Sequence, residues 1–320
     1  MKVITCFSYK GGAGRTTASA NIAAALASVA ENVGSIETPL NHKVALIDLD
    51  VFSAGTHRVF GISNEQIMEQ FREPCIQDYL REQMAPGDYV DRGGIKPGHD
   101  FMESFRVRGG DKCHPDFTLF PAKPDPDARF VVQKQHENVL IELLMELESK
   151  ERGFDYVILD GESGTRQMAD IAVRLADVVL MFFRLTWQHI EGTLNTALDF
   201  DEKARFKKPF YLIPTCVPLV SGEENVYRDR APGLAELVEL TERIPEASTL
   251  NEYARQHRDG AGYFWDGPDG AGARLCVHDS LCLKGEERVI VFDADARRDR
   301  AAEDFYRIAA ELDRLHNPSR

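Results

Sequence analysis

The first thirty residues place three glycines within four positions, between an apolar run and a helix-forming run. VITCFSY predicts a buried strand, and TTASANIAAALASVA predicts a helix with Ile22, Leu26 and Val29 on one face. A strand, a glycine loop and a helix in this order are typical of the first unit of a doubly wound sheet. The loop KGGAGRTT at 10–17 also indicates an anion site, because glycines let consecutive backbone N–H groups turn toward one phosphate and the helix adds its positive dipole end.

Further apolar runs alternate with predicted helices along the chain. The predicted strands that follow the first are 42–50, 117–122, 154–164, 176–185, 209–217 and 288–294, and the predicted helices are 62–84, 131–151, 187–205 and 299–316. Because most strand segments are continuously apolar, we expect an α/β fold: a doubly wound, mainly parallel sheet with helices on both faces. Residues 1–320 are predicted to form a single domain, with insertions near 85–116 and 221–285, the second of which is large enough for a subdomain.

Three carboxylates follow predicted strands at the point where each strand ends. Asp48 and Asp50 end the second strand, and Asp160 ends the fourth. The carboxyl ends of parallel strands line the crevice in which such sheets bind ligands. One acid alone would also suit a helix cap, and a glycine turn alone would also suit tight packing of helix on strand. Three acids beside a phosphate loop instead favour a magnesium site, to which Thr16 contributes a hydroxyl.

The composition limits the partners. The chain has 52 acidic and 38 basic side chains, a formal charge of −14 and an isoelectric point near 5.2. This acidity disfavours nucleic acid and anionic lipid as partners without excluding them. No apolar run approaches the roughly 20 residues of a membrane-spanning helix, the first residues lack the pattern of a secretory signal, and the six cysteines show no paired spacing. We therefore expect a cytoplasmic protein with free thiols.

At this point the chain resembles a known family, the ParA/MinD ATPases. KGGAGRTT resembles their deviant Walker A motif, usually KGGxGK[ST]T; IDLD with Gly55 resembles their second acidic motif; and DYVILDG resembles their Walker B strand. The resemblance runs in ordered pieces over residues 1–217. It implies a P-loop NTPase fold and an ATPase that binds ATP with Mg²⁺, forms a nucleotide-dependent homodimer and regulates a protein partner that the sequence does not identify.

The resemblance also implies roles for individual residues. Lys10 would reach across the dimer to the phosphates of the partner, and Asp50 would orient the attacking water. The implied phosphate-binding residues are Lys10, Gly11, Gly12, Ala13, Gly14, Arg15, Thr16 and Thr17. The implied metal-holding residues are Thr16, Asp48, Asp50 and Asp160, and the implied catalytic residues are Lys10, Arg15 and Asp50.

Three departures from the family pattern matter. Arg15 replaces the usual lysine, so the chain resembles the KGGxGR subgroup of this family. That resemblance implies a place in a bacterial signalling or defence module. Glu162 stands where that subgroup has arginine, with Arg166 as the compensating charge, and the asparagine that reads adenine is missing from IPTCVP. We expect Arg15 to grip phosphate and slow the turnover. Two alternatives stay open. One is a nucleotide-sensing adaptor with little hydrolysis. The other is a small-molecule kinase, which is disfavoured because the sequence shows no cluster of arginines like that of a kinase lid.

Overall fold

A computed structural model of the chain describes residues 1–28, 39–71, 73–82, 84–96, 116–124, 130–164, 167–184, 186, 188–189, 191–193, 195–196, 210–217, 277–280, 291 and 299–317. Its strands are β1 Lys2–Phe7, β2 Val44–Asp48, β3 Phe117–Phe120, β4 Tyr156–Asp160, β5 Val178–Arg184, β6 Phe210–Val217 and β7 Val277–His278. Its helices are α1 Arg15–Leu26, α2 Thr56–Val59, α3 Ile76–Glu82, α4 Pro86–Gly93, α5 His136–Glu148, α6 Gln167–Leu175 and α7 Arg300–His316.

The seven strands form one sheet in the order β3-β2-β4-β1-β5-β6-β7, and every pair of neighbouring strands is parallel. Successive strand residues belong to opposite layers of the core: Ile158 packs with α1 and α7, whereas Val157 and Leu159 pack with α3 to α6. Both faces of the sheet are thus covered by helices. The predicted doubly wound parallel architecture is confirmed.

Helix α1 is enclosed almost completely. Eleven of its twelve residues are buried, and only Thr16 is partly open. Its alanine, serine and threonine side chains are small enough for the sheet to pack on one side and α7 on the other. The Ser28 hydroxyl, just after α1, lies 2.7 Å from the Tyr306 hydroxyl of α7. The predicted amphipathic helix near residue 300 therefore packs on the body of this domain.

The predicted helix over 62–84 is wrong as one element. This range instead holds a single π-helical turn at Gln66–Gln70 and α3, while α2 lies before it. Pro74 explains the break, because proline lacks the N–H that a helix interior needs and biases Glu73 away from helical dihedrals.

The insertion predicted near 85–116 contains a helix. Helix α4 begins with a proline in its first turn, and the Tyr89 ring stacks on Tyr79 at 4.4 Å between ring centroids. Helix α6, only nine residues long, was not predicted at all. Residues 97–115, 197–209, 221–276 and most of 281–298 lie outside the described residues, so that the predicted strand 288–294 and most of the 221–285 insertion remain predictions.

Two smaller expectations can be compared with the described residues. Cys6, Cys75 and Cys216 are free thiols there. In the same part of the chain, no helix combines the length and the apolar character that crossing a bilayer requires.

Candidate functional site

The sheet register brings the strand-end acids to one edge. Asp48 of β2 lies directly opposite Asp160 of β4, and Asp160 lies opposite Cys6 at the end of β1. Both carboxylates are fully buried. The glycine loop leaves β1 one residue beyond Cys6, so the phosphate loop and the acids converge at the carboxyl edge of the three central strands.

The loop has the backbone conformation that an anion site needs. Gly12 and Gly14 have φ angles of 79° and 73°, in the left-handed region that favours glycine. Gly14 caps α1, and the first intrahelical bond runs from the Ala18 N–H to the Gly14 carbonyl at 2.9 Å. The N–H groups of residues 15–17 therefore remain available to an anion. A Cβ added at Gly12 or Gly14 would meet nothing among the described residues within 4 Å, so the space in front of the loop is open.

Residues from distant strands fix the loop. The Thr215 hydroxyl at the end of β6 donates to the Ala13 carbonyl at 2.8 Å, and the Gly164 N–H after β4 donates to the Ser8 carbonyl at 3.0 Å. Thr215 was not predicted as a site residue from the sequence. The only signal for it was a hydroxyl at the end of a predicted central strand.

Arg15 lies among the acids. The residue is 6% exposed, and its guanidinium donates from Nε to Asp160 Oδ1 at 2.9 Å and from Nη2 to Asp50 Oδ2 at 2.8 Å. Burial alone would lower the pKa of Arg15, but the charges of Asp160 and Asp50 raise it above the ordinary value. The structure thus brings Arg15 onto two residues that the family resemblance assigns to metal and water. Its contact with phosphate remains a prediction.

Every oxygen of the three carboxylates accepts a hydrogen bond from the protein. Thr56, which the sequence analysis missed, links two of the acids: its hydroxyl donates to Asp160 Oδ2 at 3.0 Å and its N–H to Asp48 Oδ2 at 3.2 Å. The remaining donors are the N–H groups of Asp50 to Asp48 Oδ1, of Gly55 to Asp48 Oδ2 and of Ser53 to Asp50 Oδ1, at 3.0, 3.4 and 3.1 Å. Backbone N–H groups after β2 therefore hold Asp48 and Asp50, whereas the side chains of Arg15 and Thr56 hold Asp160.

The cluster has more negative than positive charge. Three carboxylates and one guanidinium would give a net charge of −2 if all were ionised. Burial first, and then the charges of Asp160 and Asp50, raise the pKa of Asp48 to about 7. Burial and the neighbouring carboxylates therefore oppose full ionisation of the cluster.

Lys10 is held within its own chain. Its Nζ donates to Gln188 Oε1 at 2.6 Å, and a Cβ added at Gly192 would overlap the ring of Tyr9. Gln188 and Gly192, which follow β5, thus lie against the start of the phosphate loop. Glu162 is buried nearby, whereas Arg166, its expected counter-charge, lies outside the described residues.

The oxygen ligands at the carboxyl edge of the sheet fit a nucleotide with its magnesium ion if Arg15 moves away from the acids. Carboxylate and hydroxyl oxygens such as those of Thr16 and the three acids are the ligands that Mg²⁺ prefers. In the described part of the chain, however, no three His, Cys, Asp or Glu side chains are arranged to hold a metal ion directly. The acids therefore suit a metal held through its water shell, provided that Arg15 gives up its two contacts.

Comparisons with known proteins agree with this geometry. A family model described as "VirC1 protein" matches residues 1–46. The septum site-determining protein MinD of Neisseria meningitidis is 26% identical over 180 residues, which are 56% of this chain and 52% of that protein. The chain thus spans about half the length of this curated relative.

Two solved structures share the fold over nearly the whole chain. The MinD cell division protein of Aquifex aeolicus matches with a TM-score of 0.58 at 18% identity, over 98% of this chain and 97% of that one. The MinD protein of Pyrococcus horikoshii, solved with Mg-ADP, matches with a TM-score of 0.55 at 17% identity, over 99% and 98%. The chain therefore has the fold of the MinD proteins, and its first 46 residues, which include the phosphate loop, are similar to the VirC1 family.

Proposed function

We propose that this chain binds ATP with Mg²⁺ at residues 10–17 and acts as a nucleotide-dependent dimerising switch that regulates a protein partner. One observation carries the proposal: an open glycine loop at a helix N-terminus lies beside three buried carboxylates at the ends of parallel strands. The similarity to MinD, whose P. horikoshii structure contains Mg-ADP, supports the same ligand here.

The residues divide the work by position. The N–H groups of residues 15–17 and the dipole of α1 would bind phosphate oxygens. The Thr16 hydroxyl would contact the metal, and Asp48 and Asp160 would hold its water shell. A bound magnesium ion supplies positive charge between the phosphates. Asp50, just beyond β2, would orient the attacking water once Arg15 has moved from it.

Lys10 is the residue proposed to act between two copies of the chain. A two-fold interface lets each lysine reach the nucleotide of the other copy. Because Lys10 Nζ is bound to Gln188 within its own chain, dimer formation would require an exchange of this hydrogen bond for a phosphate contact. Replacing Lys10 by Ala should abolish ATP-dependent dimerisation measured by light scattering, while circular dichroism remains unchanged.

A nucleotide-sensing adaptor with little hydrolysis is the second candidate. The contact between Arg15 and Asp50 favours it, because this contact occupies the carboxylate that would orient water. Calorimetric titration with ATP and ADP tests both candidates, and no binding by the folded protein would refute both. Phosphate release then separates them: turnover supports the switch, and tight binding without turnover in the presence of co-purifying partners supports the adaptor.

A further inference from the structure

Arg15 occupies the acidic cluster in the way that a metal ion would. It is one buried positive charge that contacts two carboxylates from different parts of the chain, Asp50 after β2 and Asp160 at the end of β4. We propose that Arg15 and a divalent cation compete for these two acids, so that metal reaches them only after Arg15 has left. Only the trigger for that departure rests on the proposed function; the competition itself does not.

The geometry makes the two occupants mutually exclusive. Both contacts are short, charge-assisted hydrogen bonds, at 2.8 and 2.9 Å, and the Arg15 side chain is 7% exposed. All remaining oxygens of Asp48, Asp50 and Asp160 accept from the protein. A divalent ion and its waters would therefore have to displace the guanidinium, whose positive charge also repels it.

Arginine excludes a divalent ion from Asp50 and Asp160 more firmly than lysine would. A planar guanidinium presents several N–H donors at fixed angles, so that Nε and Nη2 reach Asp160 and Asp50 at the same time. A lysine ammonium is a compact and more strongly hydrated point charge on a flexible stem. Lysine at position 15 would hold the two acids less firmly, and a metal would compete with it more easily.

The position of Arg15 also explains how it would leave. It is the first residue of α1, directly after Gly14, and its Nη2 lies 3.5 Å from the Thr16 hydroxyl. The same side chain thus extends from the phosphate loop to the acids. A phosphate bound at the loop would offer the guanidinium another bidentate acceptor. Nucleotide binding would in this way open the acids to its own metal.

The test uses metal alone, without nucleotide. The full chain and its Arg15→Ala, Arg15→Lys and Arg152→Ala variants are titrated with MnCl₂, and bound Mn²⁺ is measured by electron paramagnetic resonance. Arg152 is the matched control, since it also pairs with two acids, Asp91 and Glu146, on a different part of the chain. We expect no stoichiometric Mn²⁺ binding by the parent or by Arg152→Ala, and one ion per chain in Arg15→Ala.

Thermal unfolding gives a second readout. Mn²⁺ at about ten times its dissociation constant should raise the melting temperature of Arg15→Ala by about 2 °C and leave that of the parent unchanged. Arg15→Lys should bind Mn²⁺ at least about tenfold more tightly than the parent, and it serves as the decisive variant if Arg15→Ala does not fold. Equal Mn²⁺ affinity in the parent and the position-15 variants would overturn the inference.

The two proposals can fail separately. A parent protein that binds ATP in the calorimeter but also takes up Mn²⁺ alone would refute the competition and leave the nucleotide site intact. If the parent protein does not bind ATP but its Arg15 variants bind Mn²⁺, the proposed function is refuted and the competition is supported.

Discussion

Replacing Thr56 by Val tests whether the acidic cluster is built as described. Thr56 is fully buried, and its hydroxyl donates to Asp160 Oδ2 at 3.0 Å. Valine has nearly the same shape and keeps the N–H that binds Asp48, but it removes this one donor. A hydrogen bond to a charged acceptor contributes about 1.5–3 kcal/mol. We therefore expect the free energy of unfolding to fall by about 2 kcal/mol, which corresponds to a decrease in melting temperature of roughly 3 °C for a chain of 320 residues.

Thr5 provides the matched control. It is as deeply buried, and its hydroxyl donates to the uncharged carbonyl of Ala172 at 2.8 Å. Thr5→Val should cost only about 1 kcal/mol, because the acceptor is neutral. Thr56→Ser keeps the hydroxyl and loses one buried methyl group, so it should cost about 1 kcal/mol.

Urea unfolding followed by circular dichroism measures all three variants on one scale. The reasoning depends on the difference between the two valine variants. If Thr56→Val loses no more stability than Thr5→Val, then the hydroxyl of Thr56 does not stabilise a buried carboxylate, and Asp160 is not held as described.

Three further predictions concern the loop, its lysine and the histidine next to Thr56. Gly14→Ala should lose about 1–2 kcal/mol of stability because its φ of 73° disfavours a side chain, and it should also bind nucleotide more weakly in calorimetry. Gly153→Ala is the control: its φ is 63° but it lies far from the loop, so it should lose stability alone. Gln188→Ala should free Lys10 and lower the ATP concentration needed for dimerisation in light scattering; an unchanged midpoint would mean that this hydrogen bond does not restrain Lys10. Burial lowers the pKa of His57, so the unfolded chain takes up a proton at a higher pH than the folded one and stability falls as the pH drops below about 6.5. His57→Gln should therefore lose less unfolding free energy than the parent between about pH 7.5 and about pH 5 in urea titrations, and equal losses would contradict this assignment.

The sheet and its acidic edge could be predicted because their signals are local. Continuous apolar runs mark parallel strands buried on both faces, and acids that directly follow such runs must meet at one edge. Asp48 and Asp160 accordingly lie opposite each other although 112 positions separate them. The short helices α2, α4 and α6 were missed or misplaced because each is too short for a helical period to stand out, and in α4 the proline and glycines resemble a loop.

The hydrogen bonds of the site could not be predicted, because each depends on the fold. Arg15 and Asp160 are 145 positions apart, and Ala13 and Thr215 are 202 positions apart. The motif indicates that position 15 carries a positive charge, but only the packed structure determines which anions that charge meets. The family resemblance predicted that Arg15 contacts phosphate, whereas in the structure without nucleotide Arg15 is bonded to Asp50 and Asp160.

The enclosure of α1 has a consequence for the synthesis of this protein. The helix that starts at the phosphate loop is buried on nearly all sides. Helix α7 covers one of these sides, and a contact just beyond the end of α1 joins the two helices through residues 278 positions apart. At 5–20 residues per second, a ribosome makes the intervening chain in about 14–56 s. During that interval the nascent chain exposes a helix surface that the finished domain hides. Chaperone engagement should therefore be strongest before residues 300–316 emerge, and nucleotide binding should begin only after them.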